Sequence, residues 1–166
     1  MSVNIALLTV TDTRTLDTDK SGNILEKKIK KAKHKLIDRK ICKDSKKAIK
    51  KILKDWTKKK NIDVIITTGG TGLTGRDITP EALDEIADKH IPGFGEIFRT
   101  ISLKTVGTSS IQSRACAILA NGKYIFALPG SSGGVTDAWD EILVHQLDIN
   151  HKPCNFVELF PRLKEK

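Results

Sequence analysis

The sequence predicts an α/β protein: a three-layer α/β/α sandwich around a mostly parallel sheet, with one antiparallel hairpin. Two observations predict it. Apolar runs of strand length alternate with segments whose apolar residues recur at helical spacing, which implies parallel strands joined by right-handed crossovers and covered on both faces. Late in the chain, Asn121-Gly122 separates two apolar runs and supplies the pair that a type I′ turn prefers. At 166 residues, 39% apolar and 30% charged, the chain fits one globular domain with a short tail from about residue 150.

The elements follow in order. Residues 5–10 are a continuous apolar run, as expected of a strand buried on both faces. A helix begins near Ser21, with Leu25, Ile29 and Ala32 inward. Lys35–Cys42 is dotted with lysine and reads as an edge strand. Asp44 or Ser45 can cap the next helix, whose Ile49, Ile52, Leu53 and Trp56 fall at i, i+3, i+4 and i+7. The clearest strand is 62–68, which runs into Gly69-Gly70-Thr71-Gly72.

Thr79, Pro80 and Glu81 predict a helix start, with a Thr N-cap, Pro at the first helical position and an acid in the first turn. Pro92-Gly93 is expected to break that helix, and a second helix carries Phe94, Ile97, Phe98 and Ile101 on one face. Residues 115–120 and 124–128 form the hairpin. Val135, Ala138, Trp139, Ile142 and Leu143 mark the last helix, and the tail has no clear period.

The net charge of +9 is compatible with nucleic acid, a membrane surface or an anionic small substrate. Its lysines crowd into 27–35 and 46–60, on the polar faces of two helices, and no aromatic stacking set accompanies them. That pattern suits a solvated surface better than a nucleic-acid-binding module. No apolar stretch approaches the roughly 20 residues of a membrane span. Cys42, Cys116 and Cys154 are an odd set without C-x-x-C spacing, which suggests neither a disulfide framework nor a zinc site. With no signal-like N-terminus, a cytoplasmic location is expected.

Ligands of open parallel sheets sit beyond the carboxyl ends of the strands. Four of the predicted strands end in Thr11-Asp12, just before Asp44, in Thr68 through Gly72, and in Pro129-Gly130-Ser131-Ser132. If those strands are parallel, the four clusters share one edge. The glycine segment matches G-x-G-x-x-G from Gly70 to Gly75, but the next helix signal waits until Thr79, unlike a dinucleotide fold. Arg76-Asp77 also stands where a P-loop needs Lys-Ser/Thr. What remains is a wide loop whose N–H groups can surround an anion, or a tight turn needing positive φ.

Spacing leaves several roles open. Asp77 can cap the following helix or hold Mg²⁺ against nucleotide phosphates. Asp44 has the same two options, and Asp12 is intermediate. Arg76 balances phosphate charge or is a solvated loop residue. Ser131 and Ser132 donate to a phosphate or cap the last helix. The four histidines share no metal-ligand spacing, and Trp56 and Trp139 fit helix core stripes.

The run from Thr67 to Ala82, Thr-Thr-Gly-Gly-Thr-Gly-Leu-Thr-Gly-Arg-Asp-Ile-Thr-Pro-Glu-Ala, resembles the signature of the MoaB/MogA family of molybdenum cofactor biosynthesis proteins. Further similarity runs through Leu8 to Asp12, Pro92 to Glu96, Gly107 to Ser109, Ser113-Arg114 and Leu128 to Ser131, and so covers nearly the whole chain. The ending from Pro153 to Phe156 is closer to MoaB than to MogA.

The resemblance implies a trimer or hexamer and adenylylation of molybdopterin by Mg·ATP, with pyrophosphate released and the product passed to a MoeA-type molybdate insertase. It places catalytic metal ligands at Asp77 and Asp44, with Gly69, Gly70, Thr71 and Gly72 lining the nucleotide and pterin site, and Ser131 and Ser132 holding the pterin phosphate. The alternative it leaves is a MoaB paralogue that binds the pterin without catalysing the step.

Overall fold

A computed structural model describes residues 1–165. In chain order it contains β1 (Asn4–Val10), α1 (Lys20–Lys31), β2 (Lys35–Cys42), α2 (Lys46–Lys58), β3 (Val64–Thr68), α3 (Thr79–Asp84), β4 (Lys89–His90) and α4 (Pro92–Val106). A 3₁₀ segment (Gly107–Gln112), β5 (Cys116–Ala120), β6 (Lys123–Leu128), α5 (Ser132–Ala138), a π turn (Trp139–Leu143), a short helical turn (Val144–Gln146) and a 3₁₀ segment (Val157–Arg162) follow. The strands form one sheet in the order β2-β1-β3-β6-β5-β4. β1 pairs in parallel with β2 and β3, and β3 with β6, while β5 runs antiparallel to β6 and β4.

Alternation along the central strands divides the core into two layers. Ile5, Leu7, Val64, Ile66, Phe126 and Leu128 face one side, under α1, α4, α5 and the π turn. Ala6, Leu8, Val10, Ile65, Ile125 and Ala127 face the other, under Ile49, Leu53 and Trp56 of α2 and Ala82 and Leu83 of α3. Both tryptophans are buried, as their stripe positions predict. The expected three-layer α/β/α sandwich is the observed fold.

One buried carboxylate ties the first three elements together. Asp19 caps α1 by accepting from the Gly22 amide at 2.9 Å, and it accepts from Thr9 Oγ1 at 2.6 Å and Arg39 at 3.0 Å. Burial pushes this carboxyl up, but the bonds from Thr9, Gly22 and Arg39 outweigh it and hold it below the ordinary aspartate range. At the hairpin, Asn121 and Gly122 have φ of 48° and 69°, both left-handed as the type I′ turn requires.

Two local expectations are corrected, at the start and the end of α3. The residue before α3 is Ile78, which makes no side-chain cap, and the Thr79 hydroxyl donates to Gly69 O instead. That helix ends at Asp84, and Pro92-Gly93 opens α4 rather than breaking a helix. The β5 edge explains the difference, because Leu119 O and Ala117 O accept from the Asp88 and Ile91 amides and hold Lys89–His90 extended. The last helix loosens into a π turn at Trp139. In the tail, Phe156 and Phe160 pack on Tyr124, with ring centroids 4.6 and 5.9 Å away.

Phe126 lies fully buried between Phe94 and Phe156. Phe126→Ala is expected to lower unfolding free energy by about 3–5 kcal/mol, read from urea titration with an unchanged slope.

Candidate ligand-binding site

The register brings four strand ends to one edge. Val10 lies opposite Cys42, Thr9 opposite Thr68, and Thr68 opposite Leu128, with all four strands parallel. The loops carrying Thr11-Asp12, Asp44, Gly69 through Asp77, and Pro129 through Ser132 therefore leave from neighbouring points, as the sequence pattern anticipates.

Close approach shapes the glycine loop. Gly69 has φ of 100°, and a Cβ there would stand 2.2 Å from the Val10 carbonyl oxygen. Gly70 has φ of 67°, and its Cβ would meet the Thr79 hydroxyl at 2.4 Å. Both positions thus exclude a side chain on two counts, conformation and space. Thr79 closes the loop: its amide donates to Gly70 O at 3.0 Å and its hydroxyl to Gly69 O at 2.9 Å.

Helix capping does not account for either candidate carboxylate. Ser45, not Asp44, caps α2, accepting from the Ala48 amide at 3.4 Å. Asp77 makes no cap to α3. Its Oδ2 turns back on its own loop, accepting from the Thr74 amide at 2.9 Å and the Thr74 hydroxyl at 2.7 Å. Burial pushes the Asp77 carboxyl up, but these bonds, the Gly72 amide and the Arg114 charge outweigh it and leave it lowered. Asp44 is raised, first by burial and then by the charges of Asp12 and Asp77, against a partial offset from Arg76. Arg76 is well exposed and meets Asp12 at 3.1 Å, and Asp12 Oδ1 accepts from the Asp44 amide at 3.1 Å.

Two concavities flank the loop. A cleft of about 770 Å³ is lined by Gly70, Thr71, Gly72, Asp77, Pro129, Gly130 and Ser131, facing Phe98, Ser102, Thr105 and the 3₁₀ segment after α4. The charged side chains in its lining are both acids, Asp77 and Asp137. A pocket of about 290 Å³ takes Thr11, Gly69, Gly130, Ser131 and Ser132, together with Arg14 and Lys20. Asp12, Asp44 and Arg76 line neither, and form a charged rim beside the loop. Ser131 caps α5, accepting from the Gly134 amide at 3.1 Å.

Sequence reasoning missed the cleft's far wall, although the hydroxyl-rich run from Thr108 to Ser110 was its signal. It also missed a role for Arg114, which donates from Nε to Gly72 O at 2.7 Å and from Nη2 to Asp77 O at 2.5 Å, and pairs with Glu81. The Ser113-Arg114 pair belongs to the family resemblance, but nothing local marks what the arginine does, since its partners lie far along the chain.

Fold and site together define an α/β protein with a cleft beyond the carboxyl ends of its parallel strands. A family model described as a probable molybdopterin binding domain matches residues 6–149. Molybdenum cofactor biosynthesis protein B of Escherichia coli strain K12 is 42% identical over 161 residues, covering 97% of this chain and 93% of that protein. A crystal structure of a molybdenum cofactor biosynthesis protein B superposes with a TM-score of 0.89 at 38% identity, over 100% of this chain and 98% of that one. The tungsten cofactor synthesizing protein MoaB from Pyrococcus furiosus gives 0.77 at 33% identity, over 86% and 91%. The chain belongs to the MoaB/MogA family of molybdenum cofactor biosynthesis proteins.

The raised Asp44 carboxyl yields a stability prediction. The folded state holds the Asp44 proton more tightly than the unfolded chain, so stability falls as pH climbs from the ordinary aspartate range through the raised value. Asp44→Asn is therefore expected to melt above the wild type at pH 7. That advantage should vanish at pH values below the ordinary aspartate range, as followed by thermal scans across pH.

Proposed function

We propose that the protein binds molybdopterin in the main cleft and adenylylates it with Mg·ATP, releasing pyrophosphate. The observation that carries this reading is the placement of two carboxylates, neither spent on a helix cap, beside the glycine loop. Asp44 Oδ1 lies 3.4 Å from the ideal Cβ position of Gly70, and Asp77 Oδ2 2.8 Å from that of Gly72. A cleft whose charged lining is acidic needs a cation before it can accept polyphosphate.

Mg²⁺ fits the residues present. Among the described residues no group of three or more His, Cys, Asp or Glu side chains is arranged to hold a metal alone. Mg²⁺ commonly uses one or two carboxylates and completes its shell with waters and substrate phosphates. Asp77 and Asp44 would hold it, and when bound it supplies charge neutralisation between two phosphate groups.

In the proposed step a terminal phosphate oxygen of molybdopterin attacks the α-phosphorus of ATP. A new P–O bond forms as the bond from the α-phosphorus to the bridging oxygen breaks, and pyrophosphate leaves with that electron pair. The chain supplies placement and electrostatics without a covalent intermediate. Thr71 and Gly72 line the cleft wall. Thr11, Gly69, Pro129, Gly130, Ser131 and Ser132 shape the boundary with the smaller pocket, and Arg76 and Asp12 set the charge at its rim. Delivery of the product to a MoeA-type insertase, assembly as a trimer or hexamer, and a cytoplasmic site of action belong to the same proposal. Exposed Ile97, Leu103, Val106 and Ile111 around α4 support self-association. Among the described residues no helix is long and apolar enough to cross a membrane.

One observation favours a second reading, pterin binding without turnover. Asp77 Oδ2 already accepts two bonds from Thr74, so that carboxylate also serves its own loop.

Single-turnover pyrophosphate release with molybdopterin, Mg²⁺ and ATP separates the two. Release by the wild type, reduced on the order of 10²-fold or more in Asp77→Asn and less in Asp44→Asn, is the expected outcome. Tight pterin binding with no release would establish the binding-only reading.

A further inference from the structure

We propose that Arg114 is a positioning residue, setting the Asp77 carboxylate by way of the peptide groups between Thr71 and Thr74. This rests on the adenylyl-transfer reading for the work Asp77 does, and on contacts alone for the way Asp77 is held.

Arg114 stands just before β5 and grips the outer side of the glycine loop at several points. Its amide donates to Thr71 O at 2.9 Å, its Nε to Gly72 O at 2.7 Å, and its Nη2 to Asp77 O at 2.5 Å. Nη1 meets the Glu81 carboxylate, which fixes the guanidinium against the first turn of α3. A trans peptide points its C=O and N–H to opposite sides. The Arg114 main-chain amide holds the Thr71 carbonyl and so turns the Gly72 N–H toward the Asp77 side of the loop. The guanidinium fixes the next peptide through Gly72 O, and the Asp77 main chain through its own carbonyl. The Asp77 carboxylate accepts from the Thr74 amide and hydroxyl at 2.9 and 2.7 Å. The loop is thus clamped between a guanidinium outside and a carboxylate inside.

A bland alternative is an ordinary surface ion pair. Arg114 and Glu81 side chains are 31% and 43% exposed, and such a pair adds little stability by itself. Two loop carbonyls held by the guanidinium itself, those of Gly72 and Asp77, go beyond that description. Arg114 also does not line the main cleft, so its influence on a ligand there must pass through the loop. Lysine cannot replace it fully, because a point donor cannot span the Gly72 and Asp77 carbonyls as the planar fork does.

The experiment compares wild type, Arg114→Lys, Arg114→Gln and Glu81→Gln by hydrogen exchange at the Gly72 and Thr74 amides, with amides of α2 as reference. The same proteins are assayed for kcat and KM in pyrophosphate release. In Arg114→Gln both loop amides are expected to exchange at least ~10-fold faster while α2 is unchanged, as local opening predicts. Its kcat is expected to fall on the order of 10²-fold with a smaller change in KM, and Arg114→Lys to lie between.

Wild-type exchange at both amides in a folded Arg114→Gln, or an unchanged kcat there, overturns the inference. If Arg114→Gln does not fold, Glu81→Gln decides: faster exchange at the two amides supports the clamp, and wild-type exchange overturns it. A wild type that releases no pyrophosphate sinks the adenylyl-transfer reading, and loop exchange then decides the clamp alone.

Discussion

The close packing of backbone at Gly69 is the constraint on which the carboxyl edge depends. Its amide donates to Leu128 O at 3.0 Å, and its Cα faces the Val10 carbonyl with no room for a Cβ. The end of β3 is thereby pinned between β1 and β6. A larger residue would have to separate strands whose side chains fill both core layers, in an interior that yields little to such strain. The chain turns sharply here because only backbone is present, and the Thr79 hydroxyl then secures the Gly69 carbonyl against the start of α3. The glycine run is thus first a packing requirement at the sheet edge, and the cleft is built on top of it.

The same edge carries an electrostatic cost that packing does not relieve. Asp12, Asp44 and Asp77 gather near one another, answered by the exposed Arg76 and the half-exposed Arg114. The consequence falls unequally. Asp77, fed by amides and a hydroxyl, stays easily ionised, whereas Asp44 is pushed up by burial and by its neighbours. Perturbed groups of this kind concentrate at functional sites because the surrounding fold can carry their cost. Here that support comes from the two core layers on either side of the strand ends.

What is legible in the sequence follows from the range of the forces involved. Apolar runs and helical stripes report local burial, so the four parallel strands, the Asn121-Gly122 turn and both buried tryptophans can be placed from residue order alone. The convergence of Asp12, Asp44, the glycine loop and Ser131 follows from the strands being parallel. Choices between adjacent residues do not: Ser45 rather than Asp44 is the last extended residue before α2, and so the one whose side chain reaches the Ala48 amide. Lys89–His90 is a strand because β5 offers it partners, and no propensity in two residues announces that. Arg114 is invisible as a clamp for the same reason, since its meaning lies in carbonyls brought from distant parts of the chain.

The two outer strands have a bearing on how copies of this chain can meet. On one side β4 is two residues long, both exposed, and on the other β2 carries Lys35, Arg39 and Lys40 along its length. Very short margins and charged margins are poor templates for recruiting a further strand. Extension of the sheet from molecule to molecule is therefore discouraged at both borders, and with it the open-ended stacking that leads to fibres. The exposed apolar residues around α4 lie instead on helical surfaces, off both sheet borders.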